Sequence, residues 1–297
     1  MTPPTIGRLR VDGATLHYEV RGEGPLLLLI PGGTGGAASF DDVADDLAAD
    51  RTVVSYDPRG LSRSPLDDPE APQHVARHAD DALRLLDLLS PEAPARVAGC
   101  SSGGIVALHL LATRPERVER VVAHEPPVVE VLPDAAEHRA MLARVQDTFR
   151  REGLMPAAAV FAAGLRPSGA APTVTPATPA TPATPPAPPA PPAPPTAGLT
   201  PRAAARVERT MADMPYFLGR IVPGFMAYTP DVERLAALSD RLVLAGGADS
   251  HGELPHRCAA FLAERLGAEF VRFPGGHTGL STHPAEFGEL LRKLLGG

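Results

Sequence analysis

The stretch Val97-Ala98-Gly99-Cys100-Ser101-Ser102-Gly103-Gly104 decides how the chain is read. Within it, Gly99-Cys100-Ser101-Ser102-Gly103 fits G-x-S-x-G, a pattern that holds a serine in a strained turn between a strand and a helix. Glycines on both sides leave room where a Cβ would collide. The pattern alone is weak, because a tight turn needs no more than common small residues. Its flanks add what it lacks. Ala95 to Ala98 reads as a short buried strand and Ile105 to Ala112 as an apolar helix, so strand, turn and helix occur in the required order. The Ser101 hydroxyl is then expected at the C-terminal edge of a sheet, over unpaired helix amides that favour a developing negative charge.

Outward from this turn, short apolar runs alternate with helical spacing. Leu26 to Ile30, Arg51 to Tyr56, Val118 to Ala123, Asp240 to Ala245 and Glu269 to Phe273 have strand length. Phe40 to Asp50, His74 to Leu89, Leu254 to Leu266 and Pro284 to Leu295 have helical periodicity. Arg8 to Asp12 and Thr15 to Val20, joined around Gly13, predict an opening hairpin. Strands that are apolar throughout imply an α/β fold with a mainly parallel sheet covered on both faces, whose functional groups lie beyond the carboxyl ends of the strands.

The alternation stops after His124-Glu125-Pro126-Pro127. Pro133 to Glu152, Leu154 to Leu165 and Thr200 to Tyr228 are expected to be helical, with Pro215 and Pro223 as breaks. This divides the chain into a core (residues 1–127 and 239–297) and a helical cap (residues 128–238) inserted after the sixth strand. The cap carries a proline-rich insert at about residues 166–199, where Pro172 to Pro195 has nothing to bury and reads as polyproline II or a disordered linker.

A net charge of −7 with no basic run argues against a nucleic-acid partner. Two cysteines, Cys100 and Cys258, provide neither a disulfide framework nor zinc-ligand spacing, which suits a reducing compartment. No apolar run has the length of a membrane span or sits where a signal peptide would, so a cytoplasmic protein without a membrane partner is expected. The glycine-rich loop Pro31-Gly32-Gly33-Thr34-Gly35-Gly36 lacks the G-K-[ST] ending of a phosphate cradle. No cofactor or metal is expected.

A serine hydroxyl needs a base, and an imidazole suits neutral pH. His277, in the loop Pro274-Gly275-Gly276-His277-Thr278-Gly279 after the last strand, fits that role. The ring in turn needs a carboxylate to fix its tautomer. Asp249 and Glu125 both follow strands and precede His277; Asp249 is preferred and Glu125 is the alternative. The amides of Gly33 and Ser102 are the expected oxyanion donors. Asp57 and Arg59 are expected to brace their loop, and Met214, Phe217 and Phe225, with Met211, Tyr216 and Met226 nearby, to line an acyl pocket.

Together these features resemble the α/β-hydrolase family. The likeness rests on Pro31-Gly32-Gly33, Asp57-x-Arg-Gly60, the Ser101 turn, Gly246-x-x-Asp249 and Gly276-His277, followed by His283-Pro284-x-x-Phe287. It implies a Ser-His-acid mechanism, and serine in the turn sets the chain apart from the dehalogenases and epoxide hydrolases that place aspartate there. A narrower resemblance is to lactonases that open zearalenone, through Gly99-Cys-Ser-Ser-Gly103, Ser-Arg-Ser64 and His124-Glu125-Pro126-Pro127. In that family the glutamate is the triad acid and a cap tryptophan contacts the substrate; this chain has no tryptophan. A set of uncharacterised actinobacterial hydrolases is similar in the same His-Glu-Pro-Pro feature. The expected activity is hydrolysis of a carboxylic ester or lactone. Carbon–carbon bond hydrolysis, cofactor-free peroxide chemistry and non-catalytic ligand binding are the alternatives.

Overall fold

The computed structural model describes residues 3–167 and 200–296. The proline-rich stretch expected at about residues 166–199 therefore lies almost wholly outside the described residues.

Eight strands form one sheet: β1 (Thr5–Val11), β2 (Ala14–Arg21), β3 (Leu26–Ile30), β4 (Thr52–Tyr56), β5 (Ala95–Cys100), β6 (Val118–His124), β7 (Leu242–Gly247) and β8 (Glu269–Phe273), in the order β1-β2-β4-β3-β5-β6-β7-β8. The hairpin β1–β2, turning at Gly13 with φ +75°, and the β2–β4 pair are antiparallel; all other pairs are parallel.

The apolar runs are continuous because both faces are covered. Leu26, Leu28 and Ile30 of β3 enter one core with Val54, Val97, Val121 and Leu244, while Leu27 and Leu29 enter the other with Val53, Ala98, Val122 and Val243. The period-two geometry of a strand thus makes every residue of LLLLI a core residue. Each such leucine contributes about 1.5–3 kcal/mol by leaving water.

Helices α1 (Asp41–Leu47), α2 (Val75–Leu89) and α3 (Ser102–Thr113) follow β3, β4 and β5. Between β6 and β7 come α4 (Ala135–Glu152), α5 (Leu154–Leu165), α6 (Pro201–Tyr216), α7 (Val222–Met226) and α8 (Val232–Ala236). Helix α9 (Leu254–Leu266) joins β7 to β8, and α10 (Gly279–Thr282) and α11 (Pro284–Leu294) end the described fold. Helix α3 is buried almost all round, as its apolar sequence requires. Helices α1 and α11 fill the second core through Val43, Leu47, Phe287 and Leu291. Pro215 does not end its helix as expected. The chain instead runs on from α6 into a π-helical turn over Phe217–Ile221, and Pro223 sits at the start of α7, where its missing N–H costs nothing.

Candidate active site

Ser101 occupies the turn between β5 and α3 with φ +52° and ψ −121°, a conformation that costs a side-chain-bearing residue about 1–3 kcal/mol. Packing fixes it there. A Cβ on Gly99 would run into the backbone of Gly103, and one on Gly103 into the carbonyls of Ile30 and Pro31, so helix α3 can approach β3 and β5 only with glycine at both places. The Ser101 amide donates to His124 O at 2.8 Å, and the Ser101 carbonyl accepts from Gly104 N at 2.9 Å.

His277 stands in the loop after β8, and its Nδ1 lies 2.6 Å from Oε2 of Glu125. Of the two candidate carboxylates, it is Glu125 and not the preferred Asp249 that lies against the ring. Asp249 sits in a short 3-10 turn, Ala248–Ser250, that leaves its carboxylate exposed, while its amide donates to Gly275 O at 2.9 Å. Glu125 has φ +48°, which swings it off the end of β6 and across the end of β7. There Gly246 and Gly247 present no side chains; a Cβ on Gly247 would strike the backbone of Gly275 and Gly276 in the histidine loop. The Glu125 carboxylate is fully buried, and its Oε1 accepts from Gly247 N at 2.8 Å and from the Ser250 hydroxyl. Burial pushes its pKa up, but the hydrogen bond to His277, the neighbouring His124 and the Ser250 hydroxyl outweigh that and hold it below the usual carboxylate range. Ser250 escaped the sequence reading, because nothing in Ala248-Asp249-Ser250 marks the serine rather than the aspartate as the residue facing inward.

Ser102 is the first residue of α3, so its amide is one of those a helix leaves unpaired. The Gly33 amide, expected to face the substrate, donates instead to the Ser102 hydroxyl at 3.0 Å. The loop carrying Gly33 is braced from below, as anticipated for Asp57: its buried carboxylate accepts from Ala37 N at 2.8 Å and from Arg63 Nε at 2.7 Å. Arg59 pairs with buried Asp81, its Nε 2.6 Å from Oδ2.

Ser101, Ser102, Gly33 and His277 open onto one cavity of about 430 Å³. No hydrogen bond joins the Ser101 hydroxyl to the His277 ring among the described residues; such contacts commonly tighten only around bound substrate. Met214, Phe217, Phe225 and Met226 line the cavity, and Phe161, Leu165 and Ile221 add to the wall. Met211 does not, being 46% exposed, and the Tyr216 ring rests on Gly60. No Asp, Glu, Lys or Arg lines the cavity among the described residues. Cys100 does, but burial and the Glu125 charge push its thiol up to about 12, so it stays protonated beside Ser101. The described residues gather no metal-ligand cluster of three or more His, Cys, Asp or Glu, and none of their helices is long and apolar enough to cross a membrane.

Residues 25–166 match the family model described as the alpha/beta hydrolase fold. The uncharacterized hydrolase YraK of Bacillus subtilis (strain 168) is 33% identical over 293 residues, spanning 97% of this chain and 95% of that protein. The chain belongs to the α/β-hydrolase family. It is an enzyme of the α/β-hydrolase type, with the mostly parallel sheet that this family builds. A zearalenone hydrolase of Bionectria ochroleuca is 35% identical over 119 residues, 39% of this chain and 45% of that protein. A thermophilic esterase from Thermogutta terrifontis superposes with a TM-score of 0.70 at 19% identity, covering 99% of this chain and 98% of the esterase, a likeness of fold alone.

Proposed function

We propose that the protein is a serine hydrolase that cleaves neutral, largely apolar carboxylic esters or lactones. The observation that carries this reading is the 2.6 Å contact between His277 Nδ1 and buried Glu125, with the ring on the same cavity as the strained Ser101. The carboxylate keeps the proton on Nδ1, which leaves Nε2 as the acceptor for the Ser101 proton. Ser101 Oγ then attacks the carbonyl carbon, and the C=O π pair moves onto oxygen beside the Ser102 amide. Collapse expels the alkoxide, which takes the proton from the imidazolium. Water repeats the sequence on the acyl-enzyme and releases the acid. In a lactone the leaving alcohol is part of the acyl chain, so the second step releases a single hydroxy acid.

The cavity supports the substrate class. A wall without fixed ions has no partner for a carboxylate or ammonium group, so a charged substrate would lose its hydration without compensation. A volume near 430 Å³ falls within the range of about 300–1,000 Å³ of small-molecule pockets, which suits a small or medium molecule. The partial match to a zearalenone hydrolase favours ester-type chemistry. The helices between β6 and β7 would serve as the cap over residues 128–238, with Met214, Phe217 and Phe225 as acyl contacts.

A fluorophosphonate probe combined with p-nitrophenyl esters of graded chain length tests the proposal. Labelling confined to Ser101, abolished by Ser101→Ala, together with turnover of neutral esters, is the expected result. Folded protein that neither labels nor turns over any ester would instead be a ligand-binding member of the fold.

A further inference from the structure

The second oxyanion donor in the sequence reading, the amide of Gly33, already has a partner: it donates to Ser102 Oγ at 3.0 Å. Ser102 is also the residue whose own amide is the first donor, and it lines the cavity with Ser101 and His277. Its hydroxyl accepts one hydrogen bond, and among the described residues no acceptor takes its proton. A hydroxyl can accept and donate at once, and accepting a bond polarises its O–H for donation. Around Gly33 the structure is open: φ is +60° and nothing lies within 4 Å of where a Cβ would be. Packing therefore does not orient this amide from the side-chain direction, whereas the bond to Ser102 does.

We infer that the Ser102 hydroxyl is itself an oxyanion donor, so that Gly33 acts through it rather than on the substrate directly. The relay runs from Gly33 N–H to Ser102 Oγ, and from Ser102 O–H to the carbonyl oxygen as it gains charge on attack by Ser101. No proton is transferred along it; the hydroxyl keeps its hydrogen and the interaction strengthens as the oxygen becomes anionic. Ser102 would thus supply two donors, one from its backbone and one from its side chain. This rests on the serine hydrolase reading above.

The test is the series Ser102→Ala, Ser102→Cys and Ser102→Thr, assayed with p-nitrophenyl butyrate and with a trifluoromethyl ketone as a mimic of the tetrahedral state. Ser102→Ala should lower kcat on the order of a hundredfold, the cost of one oxyanion donor, with KM changed by no more than about twofold. Affinity for the ketone should fall in parallel with kcat. Ser102→Cys, a near-isostere with a weak donor, should follow alanine, and Ser102→Thr, which keeps the hydroxyl, should recover activity to within about tenfold of wild type. Equal or faster turnover by Ser102→Ala would overturn the inference, for the hydroxyl would then only occupy the amide until substrate displaces it. Should the alanine variant not fold, wild-type activity in the cysteine variant would overturn it equally. Wild-type protein that labels at no serine and cleaves no ester sinks the underlying reading as well, which separates the two failures.

Discussion

Replacing Glu125 by glutamine leaves the shape of the site unchanged and alters only what the buried group can accept. In the wild type the carboxylate receives three donors: His277 Nδ1, Gly247 N and the Ser250 hydroxyl. Glutamine has one accepting oxygen and one donating NH2. If the oxygen stays with Gly247 and Ser250, the NH2 faces Nδ1, and the ring must move its proton to Nε2, the atom that should accept from Ser101. If the amide flips, its NH2 meets the Gly247 N–H, leaving a buried donor unpaired at about 1–3 kcal/mol. The first arrangement costs less stability and more chemistry. In a chymotrypsin-type triad the equivalent change of tautomer lowers kcat by about ten-thousandfold, roughly 5 kcal/mol of barrier. We therefore expect Glu125→Gln to slow the single-turnover acylation burst with p-nitrophenyl butyrate by three to four orders of magnitude. Melting should shift only modestly. Asp249→Asn, at an exposed carboxylate that neither pairs with His277 nor lines the cavity, should stay within about twofold, and surface substitutions of this kind change stability little. An acylation rate in Glu125→Gln within tenfold of wild type, or a larger loss in Asp249→Asn, would refute the assignment of Glu125 as the group that orients the ring.

Other consequences can be checked separately. Asp213 on α6 accepts from Ser62 N at 2.9 Å and from Ser62 Oγ at 2.7 Å, so Asp213→Ala should free that helix from the turn after β4. We expect it to raise KM several-fold with less effect on kcat, to cost about 1–2 kcal/mol, and to speed amide exchange within α6; unchanged exchange would exclude this tether. Burial pushes His124 down to about 4 and His78 down to about 3, so both stay neutral in the fold but take up protons when unfolded. Their contribution to stability is complete above the ordinary histidine value of about 6.5 and is lost as pH falls from there towards the folded values. Urea midpoints should thus decline between pH 6 and 4.5 by the equivalent of about 4 kcal/mol, and a flat profile would contradict the buried neutral rings.

Much of the fold could be read from the sequence because its causes are local. Leu26 to Ile30 has no polar residue to turn outward, and Gly99, Ser101 and Gly103 are needed where helix, strand and loop meet closely. The carboxylate that meets His277 could not be read in the same way. Glu125 and Asp249 both follow a strand, and the difference lies in φ +48° at Glu125 and in the bare end of β7 that its longer side chain crosses. The partner of the Gly33 amide depends on one rotamer of Ser102, and the π-helical turn after Pro215 on how α6 packs; neither leaves a periodic trace in the sequence. All three non-glycine residues with positive φ among those described, Ser62, Ser101 and Glu125, stand at the site or at the tether of α6, where local preference yields to tertiary demand.

In the proposed mechanism the reacting groups sit beyond strand ends of the sheet, while Met214, Phe217 and Phe225 belong to the segment between β6 and β7. That separation gives the protein two surfaces that can be altered independently. Exchange of one wall residue would reshape what fits without disturbing Ser101, His277 or Glu125, so the choice of substrate could be retuned in small steps on an unaltered frame.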